Sequence, residues 1–467
     1  MKKFISLLAV GLIAGSLAAC APRTTENTCD VDTLDGTTVC FDETTGRFAI
    51  EKDAVIRFGA DNDDLGNAIV ALWNSTYPEH VGKVEYVNNG SQGSADALAE
   101  QQGEYPDVFM VIDGEVPRNN THILPIHSEL ASIIKANSIS SYYNAGNSLA
   151  TATHYAPMTY DGMAFLVNLT MLEALGISTT DTDGDGLPDA VDTFEEIFAL
   201  STSWIGNRPV YKGKNVLSIY PVGTQDWSGY SALTSAGWSL FPDNDATKPG
   251  YDDPKFAEGL QFFLDAKAAQ VSVEESGEVS PASTLDWPWD SVLKDEKAPL
   301  GLVGTWMNVE EAQTNTGSEF AITPMPTYKG NQLKTFVKTK GFVINAYTEF
   351  RSAATELLRL VYSKEGFQAM VDSSAYAPSL VEGSALVPEL EDGGVQAQFM
   401  VGLAVSYPEP ALMLPNNPRM KALDAAYYPF MGNLMKAVYD ETITIEEAVA
   451  QLIADSNEKI AIDNQAQ

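Results

Sequence analysis

Histidine and cysteine are scarce in this chain, with four of the first and three of the second in 467 residues. That leaves little material for a His/Cys metal centre or a thiol enzyme. Basic residues are also in short supply, 28 against 63 acidic ones, for a formal charge of −35. Phosphate backbones are held by clustered Lys and Arg, so the balance argues against a nucleic-acid partner. Long apolar runs are missing too. Residues 4–13 form a short apolar stretch, below the roughly 20 residues that span a bilayer, and no other stretch is long enough. No repeat of 20–50 residues is visible. Nor is there a Ser-His-Asp order, a phosphate loop or a metal triad. What is present is 45% hydrophobic residues. At about 150 residues per domain the length suggests about three domains and a large buried core.

The N-terminus carries an export pattern. Lys2 and Lys3 precede the short apolar stretch, and Ala14, Gly15 and Ser16 lead to Leu17-Ala18-Ala19-Cys20. This end resembles the lipobox of bacterial lipoproteins, which implies a signal peptide over 1–19 and an acyl anchor at Cys20. More than one acyl chain is the condition for stable anchoring. With Cys20 acylated, Cys29 and Cys40 remain, and an oxidising compartment permits a disulfide between them. It would close a loop of about 12 residues, worth roughly 3 kcal/mol in the chain-entropy model. Residues 20–53 therefore read as a polar tether carrying a small staple.

The body opens with Ala54-Val55-Ile56-Arg57-Phe58-Gly59, a strand-like run. A helical pattern over 64–73, a strand at 84–87, a helical pattern over 94–102 and a buried strand at 105–112 follow. Strand and helix alternating in this way predicts an α/β layer with a parallel sheet. Ligands sit at the carboxyl ends of such strands, which makes 59–63 and 113–117 candidate site loops. The middle carries six of the seven tryptophans, Trp204, Trp227, Trp238, Trp287, Trp289 and Trp306, and the last ninety or so residues return to helical patterns.

The sharpest local motif runs from Asp181 to Asp192. Asp181, Asp183, Asp185, Asp189 and Asp192 occupy positions 1, 3, 5, 9 and 12 of an EF-hand-type loop, Gly186 the sharp-turn position 6, and Leu187 the carbonyl position 7. A hard cation needs several oxygens converging on one point, and five carboxylates in twelve residues repel one another without one. The spacing predicts a structural Ca2+ site. Asp192 stands where a longer Glu is usual, which weakens binding or passes the last ligand to Glu195 or Glu196.

Gly304-Thr305-Trp306, Phe320-Ala321-Ile322-Thr323-Pro324-Met325-Pro326-Thr327-Tyr328-Lys329-Gly330, Gly341-Phe342-Val343-Ile344-Asn345-Ala346 and Tyr362-Ser363-Lys364-Glu365-Gly366 follow one another in order. With Tyr105-Pro106-Asp107, Asp192-Thr193-Phe194-Glu195-Glu196-Ile197 and Leu414-Pro415-Asn416-Asn417-Pro418-Arg419-Met420, this series resembles bacterial ABC-transporter solute-binding proteins of the maltose/maltodextrin type. The resemblance covers roughly 54–460. It implies an α/β, two-lobed periplasmic-binding-protein-like fold with three hinge crossovers and an interlobe ligand cleft. By motif, the N-terminal lobe is 54–160 plus 341–376 and the C-terminal lobe 162–336 plus 378–467, the latter carrying the calcium-loop insertion at 181–192. Crossings fall near Asp161, Lys338 and Ala377. Bending at such hinges closes lobes over ligand.

A sugar presents hydroxyls at its edge and C–H faces above and below, so its site combines carboxylates or amides with flat rings. The resemblance implies Asp61, Asn62, Asp161, Gln225, Trp227 and Trp306 as ligand-binding residues, with Tyr427 or Tyr428 replacing a C-terminal stacking ring. Asn62 stands where a Lys is usual, Gln225 where a Glu is usual, Val111 where the family has a Trp, and Gly114-Glu115 where it has the Asp-Arg of a polar fork. The expected function is a lipid-anchored, monomeric, non-enzymatic binding subunit on the outer face of the cell membrane. It would deliver maltose, maltodextrin or a related oligosaccharide to an ABC permease. The competing readings are a glycoside hydrolase with paired carboxylates and a calcium-stabilised adhesin.

Overall fold

Ile56–Ala60 (β1), whose alternate residues Ile56, Phe58 and Ala60 are buried, begins a parallel layer with Val84–Asn88 (β2) and Val108–Ile112 (β3). Between β1 and β2 lies the helix Asp63–Thr76. Asn62 caps it by accepting from the Leu65 N–H, Asp63 and Asp64 sit in its positive first turn, and Leu65, Ile69 and Trp73 bury one face at four-residue spacing. The helix Ser94–Gln101 connects β2 to β3. This is the alternation that the local periodicity predicts.

The computed structural model describes Cys29, Val31 and residues 34–147, 152–204, 207–216, 218–242, 245, 247–270, 292–404 and 422–465. The signal peptide, Cys20, Trp287, Trp289 and the 414–420 motif lie outside the described residues. Among the described residues, no helix is long and apolar enough to cross a membrane.

One strand organises the rest. Ala156–Asn168 (β4) is buried along all 13 residues. Its first half pairs antiparallel with Val337–Ile344 (β7), and its second half is flanked by Leu300–Gly304 (β5) and Phe320–Thr323 (β6). The sheet order is β6-β4-β7-β3-β1-β2, with β5 also on β4. Along β4 the core changes. Ala156 and Met158 pack with Phe58, Trp73 and Leu357 in one hydrophobic core. Met163, Phe165 and Val167 pack with Phe194, Tyr220 and Leu260 in another. The molecule is thus an α/β protein of two lobes sharing strands. Where they meet, Asp161 and Lys338 are register partners. The Ala377 carbonyl accepts from the Tyr160 N–H (3.1 Å) and the Thr159 hydroxyl (2.8 Å). Three passages of chain therefore lie side by side.

Cys29 and Cys40 are joined by a disulfide, Cα atoms 5.8 Å apart. Past it, the polar N-terminal stretch does more than tether. A hairpin of Phe41–Asp42 and Arg47–Phe48 leads to Phe48 and Ile50, both buried in the first core. Glu51 accepts from the Ser352 and Ala353 N–H groups (2.9 and 2.8 Å), at the start of the helix Arg351–Val361. A carboxylate there satisfies orphan donors and the helix dipole together.

Candidate functional site

The two lobes enclose a cleft of about 450 Å³, lined among others by Ser91, Asp161, Gln225, Trp227, Trp306 and Tyr428. Its tryptophans are placed by the ends of short elements. Trp306 follows β5, in a turn tied to β4 by the Thr305 N–H on the Gly162 carbonyl (3.0 Å) and the Thr305 hydroxyl on the Tyr160 carbonyl (3.2 Å). A Cβ at Gly304 would sit 2.5 Å from the Trp306 indole, so glycine there lets the ring fold back over the strand end. The ring remains 39% exposed, unusual for so large an apolar group. Trp227 stands in the first turn of the helix Asp226–Leu233, with Gln225 as that helix's N-cap residue. The two indoles meet edge to face, centroids 5.7 Å apart at 78°, and Trp227 leans on Phe336 at 4.9 Å.

The polar wall comes from the first lobe and the crossing strands. Asp61, just past β1, accepts from Ser91 Oγ (2.6 Å), Tyr376 OH (2.7 Å) and Lys340 Nζ (3.0 Å). Burial pushes the Asp61 carboxyl up, but Lys340 and the two hydroxyls outweigh it and hold the group below its usual range. Lys340 Nζ also lies 3.8 Å from Asp161 Oδ1. Burial works against this ammonium, yet Asp161, Tyr376 and Asp61 raise its proton affinity above that of an ordinary lysine. Asp161 itself is shifted upward by burial, with Lys340 and Lys338 opposing. Just outside the cleft, Asp113 accepts from the Thr339 N–H (2.9 Å) and hydroxyl (3.1 Å), and burial pushes it up to about 6.

The residues implied by sequence divide clearly. Asp161, Gln225, Trp227, Trp306 and Tyr428 line the cleft, and Asp61 braces its base through Lys340 and Ser91. Asn62 is spent on capping a helix, its Oδ1 accepting from the Leu65 N–H at 2.9 Å. Of the two adjacent tyrosines, Tyr428 faces the cleft, whereas Tyr427 is fully buried with its hydroxyl on the Asp226 carbonyl at 2.5 Å. Glu115, in the loop without the usual polar fork, is buried and accepts from the Ala95 N–H (3.1 Å). Sequence reasoning missed Gln92, Asp226, Ser228 and Asp424 as lining, along with Lys338 and Lys340. For the lysines a signal existed. Two cations two residues apart in an otherwise apolar strand share one face.

The 181–192 loop forms a second, separate cluster. Oxygens of Asp181, Asp183 and Asp189 lie within 4.8 Å of one another. Asp181 accepts from the Gly184 and Gly186 N–H groups (2.7 and 3.1 Å), and Gly186 has φ +96°, which a residue with a side chain rarely adopts. Asp192 Oδ1 is buried and has no hydrogen-bond partner. Burial, then Asp185, Asp183, Glu196 and Asp189, push the Asp192 carboxyl up to about 6. The longer alternatives are engaged elsewhere. Glu196 closes a capping box with Thr193, and Glu195 accepts from the Lys329 N–H at 2.7 Å. The convergent oxygens of Asp181, Asp183 and Asp189 are of the kind that a hard cation takes, and Asp185 and Asp192 stand outside that close group.

The sequence matches the profile of bacterial extracellular solute-binding proteins over residues 77–394, more than half of the chain. No curated protein matches it. In fold it is similar to maltodextrin-binding protein MalE1 from L. casei BL23 without ligand (18% identity, TM-score 0.64, covering 87% of this chain and 98% of that one). It is similar also to a cyclo/maltodextrin-binding protein complexed with maltotetraose (15%, 0.63, 87% and 97%). A third is the maltose-binding periplasmic protein MalE from Listeria monocytogenes in complex with maltose (15%, 0.63, 88% and 98%). At such identities the likeness is one of fold.

Proposed function

The chain belongs to the bacterial extracellular solute-binding proteins, and we propose that it is the substrate-binding subunit of an ABC importer, taking maltose, a maltodextrin or a related oligosaccharide into its cleft. The observation that carries this reading is the pairing of a half-exposed Trp306, set at right angles to Trp227, with the carboxylates of Asp161, Asp226 and Asp424 in one cleft. Flat rings take the C–H faces of a sugar, and carboxylates take its hydroxyls. Similarity in fold to maltodextrin- and maltose-binding proteins supports the choice of sugar. The family places the chain outside the cytoplasm. A diacyl anchor at Cys20 would hold it beside its permease, and Leu17-Ala18-Ala19-Cys20 supports that anchor.

The protein is expected to bind and not to convert. Calorimetry of residues 21–467 across malto-oligosaccharides should show heat of binding, and chromatography should return each sugar intact. Steady release of shorter sugars would replace the receptor with a glycosidase.

Calcium in the 181–192 loop braces the second lobe without touching the sugar. Asp181, Asp183, Asp185, Asp189, Asp192 and the Leu187 carbonyl would supply its ligands, and neutralising their mutual repulsion is what the ion contributes. The cluster adjoins the second core through Leu187, Val191 and Phe194. Free calcium at tenfold above its Kd stabilises by about 1.4 kcal/mol. Asp183→Ala with Asp185→Ala should remove that calcium-dependent rise in Tm and leave sugar affinity as it was. A rise of parental size in the double variant would discount the loop as the ion's seat.

A further inference from the structure

Lys338 does two unusual things at once. It lies on β7, where the chain crosses between lobes, and it extends over rings that belong to the second lobe. Its Nζ is 5.4 Å from the centroid of Trp227, 5.2 Å from that of Tyr428 and 5.6 Å from that of Phe336. Trp227 and Tyr428 pack against the second core, and Phe336 is part of it. Two residues on, Lys340 carries the same charge on the same face but reaches the first lobe, through Asp61. One strand thus holds each lobe's share of the cleft wall by a cation, with an ion pair on one side and aromatic faces on the other.

The geometry points to Lys338 as a positioning residue for sugar recognition: its ammonium holds the Trp227 and Tyr428 rings in place before ligand arrives. This rests on the sugar-binding reading above. A cation in reach of three ring faces gains from each quadrupole, and most where water is excluded. Rings already fixed when the sugar arrives lose no rotamer freedom on binding, so the lysine improves affinity even where it does not touch ligand. Burial works against this ammonium, but Tyr428, then buried Asp113 and Asp161, its register partner, raise its proton affinity above that of an ordinary lysine.

Lys338→Met keeps the length and apolar stem and removes only the cation. Lys338→Arg restores a cation that stacks on aromatic faces. In calorimetry with maltotetraose, Lys338→Met is expected to bind about tenfold more weakly, in line with one or two ring side chains that must be ordered on binding, and Lys338→Arg to recover most of that loss. Without ligand, tryptophan emission should shift in Lys338→Met, return in Lys338→Arg, and show no such shift when Trp227→Phe is the background. A purely structural lysine would lower Tm without that Trp227-dependent signature. Parental emission in Lys338→Met, or a shift that persists at full size without Trp227, would overturn the assignment. A parent protein that takes up no maltotetraose would overturn the choice of sugar instead, and the emission measurements, which need no ligand, would still decide the role of Lys338.

Discussion

Replacing Glu356 with Ala is expected to cost about 3–5 kcal/mol of stability, the range for removing one partner of a buried ion pair. The carboxylate is fully buried on the helix Arg351–Val361. Its Oε2 accepts from the Phe48 N–H (2.7 Å) and Arg359 Nε (2.8 Å), and its Oε1 from Arg359 Nη2 (2.6 Å) and the Tyr77 hydroxyl. Burial and Glu356 push the Tyr77 phenol up to about 12, so it remains a donor at any working pH. Alanine leaves the Phe48 amide and the Tyr77 hydroxyl without their acceptor and the Arg359 charge without its counter-ion, with only the Tyr77 oxygen (3.0 Å) still accepting from it. Glu356→Gln keeps the shape and one acceptor, so its cost should be smaller. Urea denaturation gives the magnitude. Limited proteolysis should find residues 41–51 newly open to cleavage, because Phe48 is tied to the lobe through this carboxylate. Sugar affinity should hold, since the cluster lies away from the cleft. Unchanged urea midpoints would show that the network carries no net stability.

Trp306→Ala should act in the opposite sense, on ligand and hardly on the fold. About 2 kcal/mol of binding free energy, or roughly thirtyfold in Kd, is the loss expected for an aromatic hot spot. The ligand-free protein should lose far less than the 3–5 kcal/mol typical of a core tryptophan, because this ring is 39% exposed while Trp73, for comparison, is fully buried. Titration calorimetry and ligand-free melting together separate the two roles. A variant that melts far earlier yet binds malto-oligosaccharides as before would make Trp306 a packing residue and leave Trp227 and Tyr428 as the sugar platforms.

Some of the site was legible because its signals are local. The tryptophan after Gly304 could be singled out from a turn motif, and the 181–192 loop from a one-in-two spacing of carboxylates. Tyr427 and Tyr428 could not be separated in that way. They are neighbours with the same side chain, and only the packing of residues 422–428 beside Phe336 and Asp226 turns one ring to the core and the other to the cleft. Asn62, implied as a ligand-binding residue, was instead taken by the helix that begins after it, which uses its side chain as a cap.

By itself the sequence determined the alternation of strand and helix over 54–112 and the five carboxylates set within the twelve residues 181–192. Each follows from periodicity, spacing or composition within a few turns of chain. Only the tertiary structure decided that β4 serves two cores, and that Lys338 and Lys340 face a cleft and not solvent. It also decided that residues 40–51 dock on the helix Arg351–Val361 instead of trailing free. The Phe48–Glu356 hydrogen bond joins residues 308 apart in sequence. No local pattern encodes such a contact. Burial of one segment is conditional on where a distant one folds, and that condition is met only when the whole core assembles.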